Sequence, residues 1–151
     1  MTTNVAFHRS HARSSFDGHA ALRYVVPVGR ALFALIFIVA AFGHFSAHEI
    51  AFAAKAGVPL AGVAVPLSGV MSLAGGLSVL VGYRARIGAW ILVAFLVPVT
   101  LMMHAFWSAP DPQSAMIQQI MFMKNVSMLG AALLIAYFGS GPISLDAKAG
   151  R

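Results

Sequence analysis

The chain contains no cysteine, and only four of its 151 residues are acidic. Missing thiols exclude disulfide staples, thiolate metal sites and thiol–disulfide chemistry. The scarcity of charge says more. Asp, Glu, Lys and Arg together make up 9% of the chain, against about a quarter in a soluble domain. A water-facing surface is not built from so few charges. Apolar residues take their place: 60% of the chain is hydrophobic, and the mean hydropathy is +0.84. This is the composition of a membrane protein, with length for one compact bundle and no additional soluble domain.

Ten basic residues set against four acids give a formal net charge of +6. No RNA- or DNA-binding motif accompanies them, so nucleic acid is not an expected partner. The basic residues lie in the tails and one short loop beside apolar runs, where they suit anionic lipid head groups and set orientation. Residues 1–24 form one such stretch, with Arg9, Arg13, Arg23, His8, His11 and His19 against the single acid Asp17. They are read as a basic, disordered tail, with an Arg/Ser-rich targeting peptide as the alternative.

A hydrocarbon layer about 30 Å thick needs roughly 20 mostly apolar residues in a helix. Four segments meet that requirement, at about 28–47, 60–82, 87–107 and 119–138, within a membrane domain at 25–146. A short tail, 147–151, follows. Pro98 predicts a local kink in the third span. The fourth span is the informative one. Its uncharged run, 126–138, is too short to cross, so a full crossing that ends at Phe138 must begin near Gln119. That places Lys124 and Asn125 inside the membrane.

Eight basic residues (Arg9, Arg13, Arg23, Arg30, Arg84, Arg86, Lys148 and Arg151) fall on one side of these spans, with only Lys55 in the opposite loops. The positive-inside rule puts that side, with both termini, in the cytoplasm. The fold class is therefore all-α: a polytopic four-helix bundle of the cytoplasmic (inner) membrane. Packing signals are small residues at helical spacing. These are Ser68, Ser72 and Gly76, the sevenfold series Gly62, Gly69 and Gly76, and Ser127, Gly130 and Ala131 on the fourth helix. The same faces could instead join copies of the chain in a homo-oligomer.

Polar groups within the spans gather toward the outer side. His44 lies near the end of the first span, with His48 at i+4 and Glu49 beside it. His104 lies near the end of the third, with Thr100 one turn deeper. Lys124, Asn125, Gln118 and Gln119 occupy the outer half of the fourth. Ionisable groups in lipid are costly and mark functional sites by default. The plainer alternative for Lys124 is snorkelling, since it lies about 8 Å from the expected helix end. For each histidine it is an interfacial ring satisfied by its neighbours. Two chemistries compete for the cluster. A metal site on His44, His48 and His104 has no securely placed carboxylate to complete it, and no metal is assigned. A quinone or similar small headgroup would take hydrogen bonds from His44, His104, Lys124 and Asn125, with Phe45, Phe106 and Trp107 as aromatic walls. His48, Glu49 and Thr100 are secondary candidates, and no catalytic residue is assigned.

In order and spacing, several segments together resemble the DoxX family of small four-helix membrane proteins. They are Gly43-His44-Phe45, Ala56-Gly57-Val58-Pro59, Gly75-Gly76 with Gly82-Tyr83, His104-Ala105-Phe106-Trp107, Phe122-Met123-Lys124-Asn125 and Gly139-Ser140-Gly141-Pro142-Ile143-Ser144-Leu145-Asp146. The chain departs from that pattern at Ser72, where relatives often carry an acid, and at His44, where a lysine is commoner. The resemblance implies a link to redox chemistry, since some members are small subunits of a thiosulfate:quinone oxidoreductase. Others join membrane complexes with soluble redox-defence enzymes. The expected function is an accessory subunit of a membrane oxidoreductase system, with redox proteins and the lipid bilayer as partners. A non-enzymatic anchor or scaffold is the alternative, and small-solute transport is a weaker one.

Reporter fusions test the orientation. A reporter at residue 151 is expected to be active in the cytoplasm, and one inserted near Asp111 on the opposite side. The reverse pattern would invert the assignment.

Overall fold

The computed structural model describes residues 22–150, and every regular element among them is helical. Helix α1 (Val25–Ala41) tightens into a 3-10 turn at Phe42–Phe45, and a short helix α2 (Ala47–Lys55) follows. Helices α3 (Ala61–Val81) and α4 (Ala85–Met103) are joined by a tight turn. A second 3-10 turn, Phe106–Ser108, precedes the long α5 (Pro112–Phe138), and α6 (Leu145–Lys148) closes the chain. Four stretches are long and apolar enough to cross a bilayer: Val25–Phe45, Ala61–Val81, Ala85–Ser108 and Pro112–Phe138. The all-α, four-crossing fold read from the sequence is the fold observed. Large apolar side chains such as Leu32, Val39, Leu134 and Phe138 point outward, as a surface that faces lipid requires.

Close approach to α3 organises the bundle. Its stripe Val65, Gly69, Ser72, Gly76 and Val79 is buried. A Cβ at Gly69 would lie 2.8 Å from His44 Cβ and 3.2 Å from the Ala41 carbonyl oxygen; one at Gly76 would lie 3.0 Å from Ile38 Cγ1. The Ser72 hydroxyl donates across to the Phe37 carbonyl at 2.9 Å. Toward α4, a Cβ at Gly75 would lie 2.7 Å from Leu92 and 2.9 Å from the Gly88 carbonyl oxygen. Ala34, Phe37, Val79, Leu92, Leu96 and Ala132 fill the core between these helices.

Two packing expectations are corrected. Around Gly62 and Gly130 a Cβ would meet nothing within 4 Å, so neither glycine makes a helix contact. Helix α5 turns Asn125, Ala132 and Ala136 inward instead, one helical face away from Ser127 and Gly130. Small residues at the right spacing exist on two faces of α5, and spacing alone does not say which one a neighbour covers.

The fourth helix also starts earlier than residue 119. Asp111 caps it, accepting from the Ser114 amide at 2.9 Å and the Ser114 hydroxyl at 2.6 Å, and Pro112 supplies a preset φ in the first turn. These bonds hold the exposed Asp111 carboxyl below its ordinary pKa. At 27 residues the helix is about 40 Å long, so its first turns stand beyond the hydrocarbon layer.

Contacts between α1 and the C-terminal segment bring the two ends of the described chain to one end of the bundle. Arg30 is buried and donates to the carbonyls of Ser140 and Ile143, the latter at 2.8 Å. Asp146 supplies the nearby negative charge. Its carboxylate accepts from the Arg84 and Ala85 amides at 2.8 and 3.0 Å, capping α4, and its own amide donates to Gly82 O. Ser144 caps α6 through the Ala147 amide.

Two expectations follow. Gly75→Val forces α3 and α4 apart and should destabilise by about 1–3 kcal/mol, read as a lower Tm in detergent, whereas Gly130→Ala should leave Tm unchanged. Asp146→Asn leaves Arg30 buried without its carboxylate, a loss on the order of 3 kcal/mol. The check is faster limited proteolysis after residue 139 in that variant than in the wild type.

Candidate ligand-binding site

At the far end of the bundle from the termini, a cavity of about 430 Å³ opens among the first 3-10 turn, α2, α3 and α4. His44 and His104, distant in sequence, both line it, with Glu49, Ser68, Phe95 and Met103 among the other walls. Their placement follows from local structure. The last turn of α1 tightens at Phe42–Gly43, and Ser46 leaves the helix in extended backbone to cap α2 through the Glu49 amide at 3.2 Å. Because Gly69 has no side chain, the His44 turn can lie directly on α3. His104 is the first residue beyond α4, with φ −124° and ψ 38°, where the chain bends away from the helix.

Each imidazole is fixed through one nitrogen. His44 Nδ1 lies 2.7 Å from Ser68 Oγ, and the Ser68 hydroxyl donates to the Val65 carbonyl at 2.7 Å. With that hydroxyl proton committed, Ser68 Oγ accepts and His44 Nδ1–H donates. His104 Nδ1 lies 2.8 Å from Gln118 Oε1, so it is again the donor when the amide is oriented with its oxygen toward the ring. In the neutral form both rings then keep the lone pair on Nε2. The Phe95 ring sits against His44, with centroids 5.7 Å apart. Pro98, another lining residue, cannot donate to the Ala94 carbonyl one turn back, and Ala94 lines the same cavity.

The remaining sequence candidates distribute differently. Glu49 lines the cavity. His48 is exposed on α2, and among the described residues no group of three or more His, Cys, Asp or Glu side chains could hold a metal ion. The His44, His48 and His104 set is therefore not assembled. Thr100 is buried, but its hydroxyl is turned onto its own helix, donating to Leu96 O at 2.6 Å. Lys124 does not line the cavity. It is exposed, and its Nζ reaches back one turn to Met121 Sδ at 3.4 Å, the direction a snorkelling lysine takes. Asn125 is buried on α5 and also lies outside the lining.

Nor do Phe45, Phe106 and Trp107 form the aromatic walls. Phe106, Trp107 and Phe122 stack edge-on among themselves, with centroids 5.1–5.9 Å apart, and Phe52 and Phe95 take the wall positions. Sequence reasoning missed these two, together with Ser68 as the anchor of His44 and α2 as the cover. The one available signal was Ser46 with Glu49 three residues on, a capping pair ahead of the apolar Ile50 and Ala53. The N-terminal tail lies, but for its last three residues, outside the described part of the chain.

Comparison with known proteins corrects the family resemblance. The family model that matches is the SURF4 family, over residues 16–151, and no match to the DoxX family was found. Several of the segments that suggested DoxX, those around Gly75, Gly76, Gly82 and Gly139–Pro142, are close glycine contacts or glycine–proline helix stops. Any small membrane bundle needs these, so they do not separate one such family from another. Among similar proteins are two from Escherichia coli (strain K12). Inner membrane protein YphA is 28% identical over 135 residues, covering 88% of this chain and 96% of its own length. Inner membrane protein YqjF is 29% identical over 123 residues, covering 80% and 88%. No solved structure matches the chain. Like these relatives, it is a protein of the inner membrane, and its own four crossings make it multi-pass. With a family model matched along nearly its whole length, the chain belongs to the SURF4 family.

Proposed function

We propose that the far-end cavity binds a quinone-type headgroup, and that the protein serves a membrane oxidoreductase system as an accessory, quinone-holding subunit. One observation carries this reading: two histidines from different crossings, each anchored through Nδ1, line a single cavity with mainly apolar walls. A volume of about 430 Å³ lies within the usual range for small-molecule sites, and such sites pair apolar walls with a few fixed polar groups.

The chemistry suits both redox forms of the ligand. A neutral imidazole accepts a hydrogen bond from a hydroquinone hydroxyl at Nε2. Protonated, the same nitrogen donates to a quinone carbonyl. On oxidation of a quinol, His44 and His104 would each take at Nε2 one of the two protons released, while the two electrons pass to the redox partner of the oxidoreductase system. Phe95 and the methionines of α3 and α4 would hold the ring and the start of its apolar tail. Lys124 has no part in this site.

Quinone that co-purifies in mild detergent measures the reading directly. His44→Ala and His104→Ala should each lower the quinone content about tenfold, the loss of one ligand hydrogen bond. Lys124→Met should retain it. Absence of quinone from the wild type, or unchanged content in both histidine variants, would overturn the proposal.

A further inference from the structure

The opposite end of the bundle holds a second cavity, of about 570 Å³, between the start of α4 and the end of α5. Arg84 and Arg86 line it with Ile87, Phe138, Gly139 and Asp146. We propose that this groove is a binding site for the phosphate headgroup of an anionic phospholipid.

Charge carries the argument first. Asp146 is the sole acid lining the groove, and both of its carboxylate oxygens accept backbone amides of Arg84 and Ala85. The arginines have no such engagement. Among the described residues the Arg86 guanidinium has no hydrogen-bond or ion-pair partner, and that of Arg84 rests over the Tyr83 ring at 5.9 Å. Both are exposed. Arg30, also at this end, is buried on the carbonyls of Ser140 and Ile143. Two guanidinium groups thus share one groove with the single carboxylate of Asp146, which also faces Arg30, so positive charge is in excess there, and planar guanidinium groups match phosphate oxygens in pairs.

Shape carries the second part. Helix α5 stops at Gly139, which has φ +84°. A Cβ there would lie 3.3 Å from Arg86 Nε, so glycine leaves Arg86 room to lie over the helix end. The groove is flanked by Ile87 and Phe138, 53% and 71% exposed. Those side chains face the acyl layer beside the headgroup position. A free phosphate has no use for them, whereas a lipid fills both parts. Basic grooves between crossing helices at the membrane surface take anionic headgroups in just this way.

The test uses the full chain in lipid nanodiscs. Retention of phosphatidylglycerol over phosphatidylcholine is measured by native mass spectrometry, and Tm is followed as either lipid is added. The wild type should prefer phosphatidylglycerol. Combined Arg84→Asn and Arg86→Gln should weaken that preference roughly tenfold or more, with unchanged helical circular dichroism; Asn tolerates the left-handed backbone at position 84, where φ is 47°. A charge-matched control, Arg23→Gln with Lys148→Gln, should keep the preference. Equal weakening in both double variants would mean diffuse surface attraction and overturn the site. So would a wild-type Tm rise reproduced by inorganic phosphate at the same concentration, which would assign the groove to a free anion. If the double variant does not fold, Arg86→Gln alone decides: an unchanged lipid preference overturns the site, and a several-fold loss supports it.

Discussion

In a bilayer no hydrophobic force drives one apolar helix onto another, so association depends on close dispersion contact and on hydrogen bonds between helices. Helix α3 supplies both. Gly69 and Gly76 bring it against α1, Gly75 brings it against α4, and the Ser72 hydroxyl ties it to the Phe37 carbonyl. The rest of the architecture depends on these contacts. With α3 so near α1, the Phe42–Phe45 turn falls on Ser68 and fixes His44. Helices α3 and α4 touch at Gly75 and Gly88. Toward the far end, where Ser68, Met71, Pro98 and Met102 face the gap, the space between them becomes the cavity.

The two ends of the bundle handle polarity in opposite ways. At the terminus-bearing end, Arg30, Asp146, Ser140 and Ser144 satisfy loop carbonyls, helix caps and one another. A buried charge persists there because carbonyls and a nearby carboxylate surround it. At the far end the histidines are held on one side only, which leaves ring nitrogens for something other than the chain itself. Polar groups in the first region maintain the fold. Those in the second are arranged around space.

The sequence was legible where a constraint is local. The crossings follow from apolar length, and the stop after Phe138 follows from Gly139 and the glycine and proline beyond it. His44 and His104 stood out because ionisable groups are scarce in the spans. Lys124 stood out for the same reason, yet exposure on the outer face of α5 separates it from them. Depth in the membrane can be counted along a helix. Which way a side chain faces depends on where neighbouring helices lie, and that is not a property of one segment. Asn125, one residue on, is turned into the bundle.

By itself, then, the sequence determined that four helices cross, and where the second and the fourth of them stop. Those properties come from apolar length, caps and helix breakers, each written within one stretch of chain. Only the tertiary structure decided that His44 and His104 share a cavity, that Lys124 does not, and that α2 covers the site. These depend on the rotation of each helix about its axis, set by which glycine meets which neighbour. Gly69 and Gly75 are engaged, whereas Gly62 and Gly130, equally small and similarly spaced, face open space.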